Sequence, residues 1–187
     1  MQKKQTCTST IRRWSGASLL FILISCSNPA TSTSETVVFF DIQGYFEGEA
    51  KRLTTENLPI SKRVVANGHS EHKTINIKDW NEELQLFIAS DINKPAWKDS
   101  YVVEKSENSI SYLAKEASYK TQSIHIKLDS NSNPTSIKIK NQNKNMLYSS
   151  EESLNYSPNH EFEIIKTQQI RWMDAKSYHI KGQFIPK

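Results

Sequence analysis

Hydrophobic residues change their spacing several times along the chain, and each change marks a different kind of element. A short apolar run over 17–24 follows a polar, basic stretch over 1–14 and stops at Ser25, Ser27 and Asn28. From Phe40 the apolar residues recur at helical intervals instead: Phe40, Ile42, Tyr45, Phe46 and Leu53, with Glu47, Glu49, Lys51 and Arg52 between them. This stripe predicts a helix from about Asp41 to Glu56, weakened by Gly44 and Gly48. The four-residue spacing of the two glycines suits either close approach of a neighbouring backbone or plain surface positions.

Two extended runs, 60–66 and 69–78, flank Asn67 and Gly68. Asn-Gly between such runs predicts a hairpin, because both central residues of a type I′ turn take positive φ. Asp79 then opens Asp-Trp-Asn-Glu, in which Asp79 can accept from the Glu82 amide and Glu82 can reach back. The helix it starts is expected to reach about Ser90, with Leu84, Phe87, Ile88 and Trp80 on its apolar side and Leu86 off that stripe. Residues 91–97 read as an irregular corner set by Pro95, with Trp97 folding back onto the core.

From Tyr101 onward the period is two. Ile124, Ile126 and Leu128 alternate with polar residues, as do Ile137 and Ile139 with Lys138 and Lys140, and a polar loop over 129–135 separates the two groups. Leu147 and Tyr148, Leu154 and Tyr156, Phe162 and Ile164, Ile170 and Trp172, then Tyr178, Ile180 and Phe184 continue the series. The expected class is α+β: two helices packed on one face of a curved antiparallel meander sheet of about seven strands.

The charges first suggest a basic protein, with 24 Lys plus Arg against 20 Asp plus Glu. Lys3, Lys4, Arg12 and Arg13 all precede Cys26 and no acid does, so the remainder is balanced at 20 of each. Without a net positive field there is no long-range attraction to phosphate, and no nucleic-acid partner is expected.

The segment before Cys26 has the order of a signal peptide: a basic n-region, a short apolar h-region and small residues. Eight residues over 17–24 fall well below the roughly 20 that a membrane-spanning helix needs. An ordinary buried helix would be followed by more domain rather than by Ser27, Asn28, Pro29, Ala30, Thr31, Ser32, Thr33 and Ser34. Leu23, Ile24, Ser25 and Cys26 resemble the lipobox of bacterial lipoproteins. That resemblance implies cleavage before Cys26, then a diacylglyceryl thioether and an acylated amino group on Cys26, enough acyl chain for stable anchoring. It also implies an outer-membrane address, because Ser27 stands where an aspartate signals inner-membrane retention. The tail lacks an early acidic cluster, which favours the periplasmic leaflet.

The organisation expected is therefore a signal peptide over 1–25, a flexible tether over 26–36 and a single α+β domain over 37–187. Cys7 is lost with the leader and Cys26 is consumed by acylation, so thiolate metal sites, cysteine nucleophiles and disulfides are excluded. Residues 78–97 also resemble a set of uncharacterised lipoproteins from Gram-negative bacteria, a likeness that continues through the strands and carries no activity to any residue.

Candidate chemistry is sparse. His69, Glu71 and His72 crowd one strand, but His69 and Glu71 share a face and His72 takes the other, so they do not converge on a metal. His125 and His179 point away from the apolar side. Asp129, Asn131 and Asn133 imitate half a calcium loop, but Pro134 stands where glycine is required and Lys140 where a bidentate glutamate is. The neighbours Glu82 and Glu83, and Glu151 and Glu152, diverge and form no acid–base pair. The mature chain has no nucleophile elbow, phosphate-cradling loop or His-Glu-x-x-His run. Trp80, Trp97, Trp172 and several tyrosines either line a groove between helices and sheet or fill a disulfide-free core. The expectation is a membrane-anchored, periplasm-facing binding or scaffold module for an envelope component, with no cofactor and no catalysis. The alternative is a carrier of lipid or another apolar ligand in a half-barrel-like cavity.

Overall fold

The structure is a computed structural model that describes residues 39–186, which belong to one compact unit. The expected signal peptide, Cys26 and the tether lie outside the described residues.

The first helix, α1 (Ile42–Glu56), starts as its sequence requires. Asp41 caps it by accepting from the Gly44 N–H at 2.7 Å, and a Cβ on residue 44 would stand 2.2 Å from that carboxylate. The room that Gly44 leaves is taken by the cap, and Gly48 faces open space, so neither glycine seats a neighbouring backbone. The helix ends where Asn57 turns left-handed, at φ 45°, and returns its N–H to Leu53. Ile42, Phe46, Ala50 and Leu53 form its buried stripe.

The hairpin forms as expected from β1 (Pro59–Ala66) and β2 (His69–Asn76), with φ of 50° at Asn67 and 87° at Gly68. The second helix is not continuous. It divides into α2 (Trp80–Glu83) and α3 (Gln85–Ile88), separated by Leu84 at φ −95° and ψ 8°. Asp79 caps α2 by accepting from Glu82 N–H at 3.0 Å. Trp80, Leu84 and Phe87 are buried, and the break leaves Leu86, which falls off a continuous stripe, packed against the margin of the core. A 3₁₀ turn (Pro95–Trp97) follows, and Trp97 sets its ring edge-on to Tyr119 at 5.7 Å.

Seven strands follow: β3 (Tyr101–Ser106), β4 (Ser109–Ala114), β5 (Thr121–Leu128), β6 (Pro134–Lys144), β7 (Tyr148–Ser157), β8 (Glu161–Ile170) and β9 (Lys176–Phe184). All pairings are antiparallel and the order is β2-β1-β9-β8-β7-β6-β5-β4-β3. The sheet therefore has nine strands rather than about seven, because β1 of the early hairpin pairs with β9 and extends the meander. It does not close, and β2 and β3 are its edges. Leu147 and Trp172 lie in turns rather than strands, and Leu154 and Tyr156 belong to the same strand as Tyr148.

Register explains the core. Ile60 opposes Phe184, Gly182 opposes Phe162, Phe162 opposes Tyr156, Tyr156 opposes Ile137 and Ile137 opposes Ile126. A second row runs through Ile180, Ile164, Leu154, Ile139, Ile124 and Tyr112. Directly opposed residues share a face, so the two rows form one apolar layer. The helices meet that layer through rings: Phe46 and Phe87 lie 5.1 and 6.0 Å from Tyr156, and Trp80 lies 5.7 Å from Phe184 and 5.9 Å from Phe162. The other face is polar, with His179 bonded to Glu163 at 2.8 Å and Lys181 to Glu161 at 2.9 Å.

Candidate functional site

A concavity with a mixed lining lies between α2 and α3 on one side and β1, β2, β8 and β9 on the other. It holds about 610 Å³ and is lined by Ile75, Ile77, Leu86, Ile164 and Ile180 together with Lys62, Glu82, Glu83 and Gln85. The pattern that builds it is simple. Ile75 and Ile180 continue the apolar layer toward the β2 edge and remain only partly covered, while Ile164 between them and the core is buried.

One ion pair crosses this groove. Lys62 on β1 reaches Glu83 on α2 at 2.6 Å, with side chains 18% and 14% exposed. Lys62 opposes Gly182 in the ladder, so its stem lies in the apolar layer while its ammonium meets the helix. An apolar floor beside one largely desolvated ion pair has the chemistry to take an amphipathic ligand, its apolar body on the isoleucines and its polar end near Lys62 and Glu83.

A second polar set sits deeper. Glu152 on β7 is bonded to Lys166 on β8 at 2.9 Å and accepts from Asn141 Nδ2 at 3.1 Å. The same amide donates to Ser90 Oγ at 2.8 Å, and Ser90 in turn donates to Leu86 O at 2.7 Å. Asn141 Oδ1 is buried without a partner among the described residues. This set ties α3 to the sheet through buried polar atoms, each bond worth more there than in water.

A third network ties α1 to the sheet. Tyr156 donates to Glu49, Arg52 donates to both oxygens of Glu49 at 2.9 and 2.8 Å, and Arg52 continues to Glu56 at 2.8 Å. Burial raises the Glu49 carboxyl, but the Arg52 and Tyr156 bonds outweigh it and hold the group below its ordinary value. Burial, then the Glu49 charge, pushes the Tyr156 hydroxyl far up.

The residues singled out from sequence do not assemble into one site. His72 bonds Ser61 Oγ at 2.7 Å, Glu71 pairs with Lys73, and His69 is exposed. His125 bonds Ser111 at 2.9 Å. Asp129 closes its own turn, accepting from Asn131 and Asn133 N–H at 2.8 Å each; those bonds, with the Asn133 backbone foremost, hold its carboxyl low. Among the described residues no group of three His, Cys, Asp or Glu is placed to hold a metal ion. Glu152 turns inward while Glu151 is exposed, and Glu83 turns to Lys62 while Glu82 is exposed, so both acidic neighbours diverge as expected. Trp80 fills the core, Trp97 is half-buried and Trp172 is 84% exposed; none of the three lines the groove.

Lys62, Lys166 and Asn141 escaped the sequence reading, and Glu152 entered it only as the neighbour of Glu151. Their signal was phase: Glu152 alternates in step with Leu154 and Tyr156, and Lys166 with Phe162 and Ile164. A charge in the phase of an apolar face marks a buried pair. Comparisons with protein-family models, with curated proteins and with solved structures find no match. Among the described residues no helix is long and apolar enough to cross a membrane.

Proposed function

We propose that this chain is a membrane-anchored lipoprotein whose domain binds an envelope component in the groove between α2, α3 and the β2 side of the sheet, without catalysis of its own. The anchor is read from Leu23, Ile24, Ser25 and Cys26, which resemble a lipobox, with Cys26 as the acylated residue at the periplasmic leaflet of the outer membrane. The binding role is carried by one observation: an open groove of about 610 Å³ whose isoleucine floor is crossed by the Lys62–Glu83 pair. A partner segment with an apolar face and one polar group suits that lining.

A second reading is favoured by the same floor. If the sheet acts as an open half-barrel, Ile75, Ile77, Leu86, Ile164 and Ile180 would hold an acyl chain, and the protein is a carrier of lipid or another apolar ligand. The resemblance of residues 78–97 to uncharacterised Gram-negative lipoproteins is compatible with both.

A photo-crosslinking residue at Gln85, which is exposed and lines the groove, separates the two in intact cells. The binding-module reading expects a discrete protein adduct, absent from a crosslinker placed at His125 on the opposite face. A lipid adduct at Gln85, with a copurifying lipid in native mass spectrometry, establishes the carrier instead. Equal labelling at both positions overturns both. The anchor is checked separately: Cys26→Ala or globomycin should block processing, and the chain should leave the membrane fraction.

A further inference from the structure

The sheet leaves large hydrophobic side chains bare at one end only. Met146 and Trp172 are 85% and 84% exposed, Leu147 and Met173 are 58% and 52%, and Ile170 is 40%. They come from two neighbouring turns, β6–β7 and β8–β9, which the register sets side by side: Tyr148 opposes Ile170, and Arg171 N–H donates to Leu147 O at 2.9 Å. Val102, Val103 and Leu113, also exposed, lie within three residues of the same end, where β3 starts and β4 finishes. Among the described residues, Ile165 is the one exposed large hydrophobic away from it.

Charge is polarised along the same axis. The two apolar turns are flanked by Lys144, Arg171 and Lys176 against the single acid Asp174. The next turn at that end adds Lys115 and Lys120 against Glu116. At the other end the strand connections carry Glu107 and Asp129 and no Lys or Arg. The described chain has no net charge, so this is a segregation, not a general excess. Arg171 also lies over the Trp172 ring at 4.5 Å, which pairs a cation with the most amphipathic side chain at the tip.

We infer that these turns form an interfacial tip that docks on an anionic lipid surface, with Met146, Leu147, Trp172 and Met173 entering the headgroup boundary. Lys144, Arg171 and Lys176 would then meet lipid phosphates. Projecting turn apices that carry Trp, Met and Leu inside a basic collar have the composition of a membrane-interface anchor. The first described residue, Phe39, packs on Tyr101 where β3 starts, at this same end. The stretch from Cys26 to Phe39 spans at most about 45 Å when fully extended. The inference rests on the anchor reading for the presence of a bilayer nearby, and its test is built to separate the two.

The full chain is presented to vesicles of phosphatidylcholine alone or mixed in equal parts with phosphatidylglycerol, with some acyl chains brominated. Trp172→Phe identifies the part of the emission that belongs to Trp172, and Met146→Ser, Trp172→Ser and Met173→Ser together form the tip variant. Docking predicts a blue shift and bromolipid quenching of the Trp172 component, stronger on the anionic vesicles, while the tip variant still co-sediments through its anchor. If the chain co-sediments and the Trp172 component is neither shifted nor quenched, the tip inference fails and the anchor stands. If the wild type binds with quenching and the tip variant does not bind at all, the tip stands and the anchor fails. Self-association that the tip variant abolishes, without quenching, assigns the patch to a second copy and overturns the inference.

Discussion

Tyr156 on β7 donates its hydroxyl to Glu49 on α1, joining the sheet to the first helix across 107 positions of sequence. Arg52 fills the remaining acceptor capacity of the same carboxylate from within the helix. Glu49 is thus ionised on the edge of an aromatic core that includes Phe46, Phe87 and Tyr156. The arrangement is stable only while all three groups are present, because removing one leaves a partly buried charge short of a partner.

This sets a pH dependence. Glu49 has a lower pKa in the folded than in the unfolded chain, where it is near 4.5, so its contribution is present above that value. It fades as pH falls below 4.5 and is gone once pH passes the folded pKa. Urea midpoints measured from neutral to acid pH should therefore fall more steeply for wild type than for Glu49→Gln. Parallel curves would show that Glu49 is not held low. At neutral pH, Tyr156→Phe should cost about 1–3 kcal/mol by leaving the carboxylate one donor short.

Gly182 opposes Phe162, and a Cβ there would meet the ring at 2.2, 2.5 and 3.0 Å. Phe162 is fully buried and packed on Trp80, so the ring has nowhere to move. Gly182→Ala is expected to cost about 1–3 kcal/mol, the range for overpacking. Gly68→Ala meets no atoms but must hold φ 87°, and about 1 kcal/mol of strain is expected. Thermal melts of the two variants should rank in that order.

The α1 cap gives a test by sign. Asp41→Ala should cost about 1 kcal/mol and Asp41→Asn much less, because asparagine caps as well. Gly44→Ala in the wild type forces the capping carboxylate aside. In the Asp41→Ala background nothing remains to displace, and the same substitution should gain up to about 1 kcal/mol from helix propensity. Identical effects in both backgrounds would contradict the cap geometry.

Lys62 and Glu83 should couple measurably. A double-mutant cycle with Lys62→Met and Glu83→Gln is expected to return about 1–2 kcal/mol, since both side chains are largely withdrawn from water. The Lys73–Glu71 pair, with both side chains 65% exposed, should return no measurable coupling. Chemical denaturation of the four chains of each cycle gives the answer.

The features legible in the sequence were those with local causes. The Asp41 and Asp79 caps, the Asn67-Gly68 turn and the alternation through Ile124 and Ile137 each depend on residues within a few positions of one another. The seven strands from Tyr101 onward match the expected count, and the two that the hairpin adds were missed because the β1–β9 pairing joins Ile60 to Phe184, and no neighbouring residue announces it. The break at Leu84 was missed because Trp80, Leu84 and Phe87 fit one continuous stripe, and the margin that Leu86 meets belongs to the rest of the fold. The groove was illegible for the same reason: its floor draws on β1, β2, β8 and β9 at once. Trp172 misled by chemistry, since a tryptophan in a strand-rich region reads as core, yet it occupies a turn at φ 64°.

The position of β9 bears on how the molecule is made. It is the last of the nine described strands in chain order, yet it sits inside the sheet, between β8 and β1. Asn67, at the apex of the first hairpin, accepts from and donates to Ser177, 110 residues later. Until that segment emerges, β1 has one unpaired edge and Ile60 lacks its partner Phe184. The hairpin and the β3–β8 meander must therefore wait as separate pieces with exposed seams, and the slow, non-local step is their joining. A chain halted before Lys176 holds every described helix and eight of the nine described strands but not the strand that makes them one sheet.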